Sequence, residues 1–394
     1  MQVLIADDDP VARHLLRRTL ESWNYSVTAV ENGDLAWSTF SAGDFPLVIL
    51  DWVMPGLSGP ELVRRIRSHP RSGYVYTLFL TASTDQNEFI QGLTAGADDF
   101  LVKPLLPEVL RARIRSGERI LRLEQTLLEQ NRRLEERNRE MKADLRMACE
   151  LQQALLPQGY PSFPPGLPPE RSHLRFFDRY RPTSAVGGDL FDVIPLGDSR
   201  AGVLICDVQG HGVRAAMGTA MIRALLEHIR RLADEPGHFL EEMNRELVGI
   251  TRKSHITMEM TAFYGLIDLE ASQMQYVSAA HPEPVLSREN EVRLLPHPAI
   301  PVSPPLGRHD HVFYPHGTVK LSPGDRIVLY TDGLTQAFNP HDESFGQERL
   351  CAAIRERRHM RCAPMLDQIL AEVTNFTQGR DFSDDVCLIA AEIR

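Results

Sequence analysis

Acidic residues close apolar runs at several points along this chain, and that placement suits metal-assisted phosphoryl chemistry. Asp7 and Asp8 follow Val3-Leu4-Ile5-Ala6, and Asp51 follows Leu47-Val48-Ile49-Leu50. Brought together, three carboxylates repel one another, and a hard, oxygen-seeking cation such as Mg²⁺ relieves the repulsion. Asp51 is then the natural phosphoryl acceptor. Lys103, after Phe100-Leu101-Val102, balances charge, and the Thr81 hydroxyl, after Leu78-Phe79-Leu80, donates to a phosphoryl oxygen. A second set lies further on. Asp207 ends VLICD, Asp332 ends IVLYTD, Asp189 follows Gly187-Gly188, and Asp384-Asp385 precede Val386 to Ala390. Glycines 210, 212 and 333 beside these acids let backbone and bulky anions approach closely. Carboxylates with no compensating Lys or Arg nearby in sequence need cations, and all-oxygen ligation favours Mg²⁺ or Mn²⁺ over zinc. Two such ions about 3.5 to 4 Å apart make a bridging water a competent nucleophile and clamp phosphate charge.

The elements that carry these residues fall into three stretches. In the first, short apolar runs alternate with helical patterns such as Val11 to Trp23 and Pro60 to Ser68. Runs without polar alternation read as strands buried on both faces, which predicts a doubly wound parallel α/β sheet with its functional groups outside the carboxyl ends of the strands. From Arg111 the composition turns to Arg, Glu, Leu and Gln. Ile120, Leu127, Leu134, Met141, Ala148 and Leu155 recur every seven residues, the period of a left-handed coiled coil. With these as d positions, the a positions are Glu124, Asn131, Asn138, Leu145 and Gln152. That seam is mostly polar and predicts a marginal pairing helix suited to transmitting a switch. Six prolines between Pro157 and Pro169 predict an extended linker. Beyond about residue 173, short strands (Met274 to Ala279, Arg326 to Tyr330), helices (Arg214 to Leu232, Pro364 to Phe376) and turns at Asp268 to Ser272 and Ser287 to Asn290 predict antiparallel sheets flanked by helices. The boundaries expected are 1–120, 121–156, 157–172 and 173–394.

Composition limits the options. At 394 residues, 43% of them hydrophobic, the chain has two or three cored domains. A formal net charge of −10 argues against nucleic-acid binding, which rests on Lys and Arg at phosphates. The five cysteines form no C-x-x-C pair, so neither a zinc site nor a disulfide framework is indicated, which fits a reducing cytoplasm. No apolar run approaches the roughly 18 to 20 residues that span a bilayer, and none at the N-terminus has the form of a signal peptide. The expectation is a soluble, cytoplasmic protein without membrane insertion.

Through ADDDP, LDWVMPGLSG, LTAS and the Lys103-Pro104 pair, residues 1 to about 120 resemble the flavodoxin-like receiver domain of two-component response regulators. The resemblance implies an aspartyl-phosphate switch at Asp51 with Mg²⁺, Phe100 as the aromatic that changes position, and a sensor histidine kinase or phosphotransfer protein as donor. Through GGDLFD, DVQGHG, MTAFYG, AAHPEPV, LSPGD, LYTDGLTQAFN, FGQERL and SDD, the last 220 or so residues resemble the SpoIIE/RsbU branch of the PPM serine/threonine phosphatases. That implies an α+β sandwich of two antiparallel sheets with helices outside. It also implies two Mn²⁺ or Mg²⁺ ions held by Asp189, Asp207, Asp332, Asp384 and the Val208 carbonyl. Asp385 falls where the family has a polar partner beside the ligand acid.

The chain departs from that pattern at Gln209, where serine is usual; at Ala280 and Glu283, where the family tends to AGHPPP; and at Cys387, where threonine usually follows the acid pair. His211 and His281 read as structural histidines, and Met258, Met260 and Phe263 as packing residues. Two functions follow. The first is a response regulator whose phosphorylation at Asp51 controls a protein serine/threonine phosphatase, with a phosphoserine-containing STAS-type antagonist as substrate and a homodimer formed through the linker helix. The second is a slow or inactive adaptor of the same fold that binds such a partner in a phosphorylation-dependent way.

Overall fold

A computed structural model describes the chain except residues 71–72, 83–85, 184–185, 211, 255–257 and 290, with backbone alone at 86–89 and 253–254. His211, Asn290 and Ser83 of the LTAS motif therefore lie outside the described residues. The chain divides into two compact units, Met1–Arg139 and Glu140–Arg394.

In the first unit the apolar runs become β1 (Gln2–Ala6), β2 (Ser26–Val30), β3 (Leu47–Asp51), β4 (Tyr76–Thr81) and β5 (Asp99–Val102), alternating with α1 (Pro10–Ser22), α2 (Gly33–Ala42), α3 (Gly59–Ser68) and α4 (Gln86–Thr94). All pairings are parallel, in the order β2-β1-β3-β4-β5. The strand order reverses between β1 and β3, and their carboxyl ends carry Asp7 and Asp51, the position at which such sheets bind ligands. Asp9 starts α1 by accepting the Val11 N–H at 2.8 Å, with Pro10 in the first turn.

A single helix, α5 (Pro107–Leu155), follows. Its first turns bury Leu110, Ile114 and Leu121 against the sheet, and the Tyr25 hydroxyl donates to Glu118 at 3.0 Å. Its middle exposes Leu127, Leu134 and Met141 among ion pairs such as Arg133–Glu129 and Arg132–Glu136. Exposed pairs of this kind contribute about 0.3–0.5 kcal/mol each. Gln152, expected on the pairing seam, is instead buried within the second unit.

The second unit contains β6 (Leu174–Arg181), β7 (Asp189–Pro195), β8 (Arg200–Val208), α6 (Val213–Ile229), α7 (Pro236–Ser254), β9 (Met260–Asp268), β10 (Gln273–Ala279), β11 (Val285–Ser287), β12 (Val292–Leu294), β13 (Gly317–Lys320), β14 (Arg326–Tyr330), α8 (Asp332–Thr335), α9 (Gly346–Arg357), α10 (Cys362–Phe376) and β15 (Val386–Ile393). Two antiparallel sheets, β13-β10-β9-β8-β7 and β12-β11-β14-β15-β6, face each other. Period-2 alternation sends Phe191, Val193, Val203, Ile205, Phe263, Leu329 and Ile389 into the shared core, and Leu190, Leu204, Cys206 and Tyr264 outward under α6 and α7. Helices α9 and α10 cover the second sheet. The proline-rich stretch is more than a spacer: Phe163 is fully buried in the shared core, and its backbone N–H donates to the Ser172 hydroxyl at 2.8 Å.

Ala280, where the resembling family has glycine, adopts φ 54° in a turn bridged to Ala262. A left-handed backbone costs a non-glycine residue about 1–2 kcal/mol, offset in part by glycine's greater unfolded-state freedom. Ala280→Gly is therefore expected to stabilise the second unit by about 0.5–1 kcal/mol, measured as a raised urea midpoint at unchanged m-value.

Candidate active site

The strand alternation that fills the sandwich core also builds its acidic mouth. Along β7 the inward stripe is Asp189-Phe191-Val193; along β8 it is Val203-Ile205-Asp207; along β14 it is Ile327-Leu329 and then Thr331. At one end of the sandwich the same stripe changes from apolar to acidic. Asp189 and Asp207 are direct register partners, which sets two carboxylates side by side on one face. Asp332 opens α8 immediately after β14, and Asp384 immediately precedes Asp385 and β15.

Polar neighbours fix these acids. The Thr331 hydroxyl donates to Asp189 Oδ2 at 2.7 Å and accepts the Cys387 N–H at 2.9 Å, linking the two sheets. Gln336 Nε2 donates to Asp332 Oδ2 at 2.8 Å. Asp385 turns away from a ligand role: its Oδ2 accepts the Gly188 N–H at 2.5 Å, and its Oδ1 accepts both the N–H and the hydroxyl of Thr183, at 2.7 and 2.9 Å. Close approach dictates glycine at two points. A Cβ on Gly188 would sit 2.8 Å from the Val208 carbonyl oxygen, and one on Gly333 would sit 2.0 Å from the Asp385 carbonyl oxygen. Gln152, from the last turns of α5, grips the preceding residue. Its Nε2 donates to the Gly187 carbonyl at 2.5 Å and its Oε1 accepts the Gly187 N–H at 2.9 Å.

Crowding of negative charge shows in the protonation equilibria. Burial, then the charges of Asp332 and Asp384, push Asp207 up to about 7. Burial and the neighbouring Asp207 hold Asp189 well above the usual carboxylate range. Burial raises Asp332 too, against the opposing hydrogen bonds from Gly333 and Asp207. Buried oxygen donors that must hold protons in order to coexist are suited to a divalent cation.

At the carboxyl ends of β1 and β3 in the first unit the carboxylates are closer together. Among the described residues, Asp7, Asp8 and Asp51 form the one group of three His, Cys, Asp or Glu ligand atoms within 4.8 Å of one another. This all-oxygen set fits Mg²⁺. Lys103 Nζ reaches Asp51 Oδ2 at 2.7 Å and Asp7 Oδ2 at 2.9 Å. Burial alone would lower the lysine, but these two bonds hold it above its ordinary value. Burial raises Asp51 against the pull of Lys103. Thr81 ends β4 one residue beyond the register partner of Asp51. Phe100 lies half-buried on β5 opposite Phe79, against the apolar cluster under the sheet.

Thr331, Thr183 and Gln152 were not singled out from sequence. Thr331 carried a usable signal, a hydroxyl at an inward position of an otherwise apolar stripe. Gln152 carried none, because its place in a heptad explains it equally well.

A parallel sheet with an acid triad, joined to a two-sheet sandwich with an acidic mouth, defines a receiver domain coupled to a PPM-type phosphatase domain. The family model described as Stage II sporulation protein E (SpoIIE) matches residues 197–394, so the chain belongs to the SpoIIE family, and the response regulator receiver domain model matches residues 3–115. The chain is similar to phosphoserine phosphatase RsbP of Bacillus subtilis, 24% identical over 216 residues, covering 55% of this chain and 51% of that protein. Its receiver is similar to the phosphate regulon transcriptional regulatory protein PhoB of Rhizobium meliloti, 36% identical over 115 residues, covering 29% of this chain and 51% of that protein. The SiaA-PP2C domain of Pseudomonas aeruginosa shares the sandwich fold, with TM-score 0.55 and 22% identity, over 65% of this chain and 98% of that one. The chain spans about half or less of the length of the curated relatives it matches.

A carboxyl group raised in the fold binds protons more tightly there than in the unfolded chain. Its destabilising effect is therefore absent below the unfolded value, grows as pH rises, and is complete above about 7 for Asp207. In the metal-free protein Asp207→Asn is expected to raise the melting temperature at pH 8 and to have little effect at pH 4. A difference between variant and wild type that does not change with pH would refute this account.

Proposed function

We propose that this chain is a phosphorylation-controlled, metal-dependent protein serine/threonine phosphatase. The observation that carries the reading is the register pairing that sets buried Asp189 beside Asp207 at the sandwich mouth, with Asp332 and Asp384 at the ends of the facing strands. Such a pair is poised to exchange protons for cations. The proposed ligands are Asp189, Asp207, Asp332 and Asp384 with the Val208 carbonyl, and the divalent cations, when bound, supply Lewis acidity and an activated water nucleophile. The protein's part is positional. Thr331 orients Asp189, Asp385 ties down the Gly188 backbone, and Gly188 leaves room beside the Val208 carbonyl.

Control is assigned to the receiver. Asp51 accepts a phosphoryl group from a sensor histidine kinase or phosphotransfer protein, with Mg²⁺ on Asp7, Asp8 and Asp51. Lys103, now shared between Asp51 and Asp7, turns to the new phosphoryl charge; Thr81 donates to it, and Phe100 repacks. We assign the receiver to 1–120, the linker helix to 121–156, the proline-rich segment to 157–172 and the phosphatase to 173–394. The exposed Leu127, Leu134 and Met141 of α5 support pairing with a second copy. A change in that pairing would act on Gln152, whose side chain holds Gly187 two residues before Asp189. The relative named a phosphoserine phosphatase supports a phosphoserine substrate, and a STAS-type antagonist in a cytoplasmic partner-switching pathway is the proposed source.

Mn²⁺-dependent hydrolysis of an aryl phosphate by the full chain, with and without beryllofluoride, tests this. Turnover is expected to fall about a hundredfold or more in Asp332→Asn, to change with beryllofluoride, and to lose that response in Gln152→Ala. Wild-type turnover no higher than the Asp332→Asn blank would instead favour the adaptor. For the dimer, sedimentation velocity is expected to show Leu134→Lys shifting the chain towards monomer; an unchanged sedimentation coefficient would remove α5 as the pairing element.

A further inference from the structure

His281 is fully buried at the acidic mouth, where it has a polar neighbour. Its Nδ1 lies 2.8 Å from the Thr261 hydroxyl, and Thr261 is the register partner of Asp207. Its Nε2 is buried without a hydrogen-bond partner, and the backbone of Tyr330 in the other sheet lies beside the ring. Tyr330 lies two residues past Val328, the last residue that β11 pairs with on that side, and two residues before Asp332. The ring therefore stands where the β11 ladder has run out, between the strand that carries Asp207's neighbour and the strand that leads to Asp332.

The turn that presents it is specific. Ala280 adopts φ 54° and bridges to Ala262, and the Ser278 hydroxyl accepts the His281 N–H at 3.3 Å, so the backbone is held on both sides of the ring. Burial lowers the imidazole to about 3, leaving it neutral. If Nδ1 accepts the Thr261 hydroxyl proton, the neutral ring carries its own proton at Nε2.

We propose that His281 is a positioning residue for the metal centre, a strut between the two sheets that sets the separation of Asp207 and Asp332. It adds no charge to a mouth already crowded with carboxylates, which a lysine or arginine would neutralise and so remove the need for a cation. This proposal rests on the reading of Asp207 and Asp332 as ligands. Groups that orient ligands in this indirect way typically change metal affinity by about 10–100-fold when altered.

The test is Mn²⁺ binding by calorimetry on the full chain. Subtracting the Asp332→Asn isotherm removes the contribution of the receiver triad. His281→Asn keeps an amide near the Nδ1 position and loses reach to Tyr330, whereas His281→Gln does the reverse. Both are expected to weaken Mn²⁺ at this site at least about tenfold at a temperature where circular dichroism shows them folded. Affinity within about twofold of wild type in either folded variant would overturn the proposal, since packing alone would then account for the residue. If neither folds, Thr261→Val decides by the same criterion, because it removes one hydroxyl and keeps the ring. Identical wild-type and Asp332→Asn isotherms would overturn the metal reading itself, and this proposal with it.

Discussion

Like charges confined at the open end of a β-sandwich are the constraint on which the second unit depends. Asp189 and Asp207 occupy inward positions that, one and two strand periods further along, hold Phe191, Val193, Ile205 and Val203. The apolar core supplies the stability, and on β7 and β8 the last inward position is given up to a carboxylate, whose charged form burial disfavours. The hydroxyl of Thr331 and the carboxylate of Asp385 then serve to hold the acids and their backbone in place against this repulsion.

The receiver meets the same problem differently. Its acids lie at the carboxyl ends of the central strands β1 and β3 beside Lys103, which bonds to both Asp7 and Asp51. A charge already compensated by a lysine suits a switch, because an added phosphoryl group redistributes existing bonds. At the sandwich mouth a hydroxyl and an amide, from Thr331 and Gln336, bond Asp189 and Asp332 instead. The two halves of the chain thus place carboxylates at strand ends in different electrostatic settings.

Much of this was legible in the sequence because it depends on strand periodicity. Unbroken apolar runs identified the parallel sheet, and β10, β14 and β15 were visible as strands in the sandwich half. The acids stood out because each borders an apolar run, with Asp7, Asp51, Asp207 and Asp332 after one and Asp189 and Asp384-Asp385 before one. What could not be read is whatever depends on tertiary contact. Gln152 looked like one more polar heptad position, and its hold on Gly187 is invisible until the helix end meets β7. Phe163 was hidden by the prolines around it, whose composition signals an extended linker whether or not one side chain is anchored. Asp385 could be ranked beside Asp384, but only the fold shows it turned towards Gly188 and Thr183.

The anchoring of Phe163 and Gln152 bears on how such chains are assembled from parts. Counted by compact folding, the second unit begins at Glu140, inside the long helix, well before its first strand at Leu174. A recombination event that joined a different sensory module at residue 173 would leave behind the aromatic side chain that fills the sandwich core and the amide that secures the loop before Asp189. The inheritable module is the sandwich together with the end of its helix, and the exposed middle of that helix is where modules can be exchanged without breaking either core.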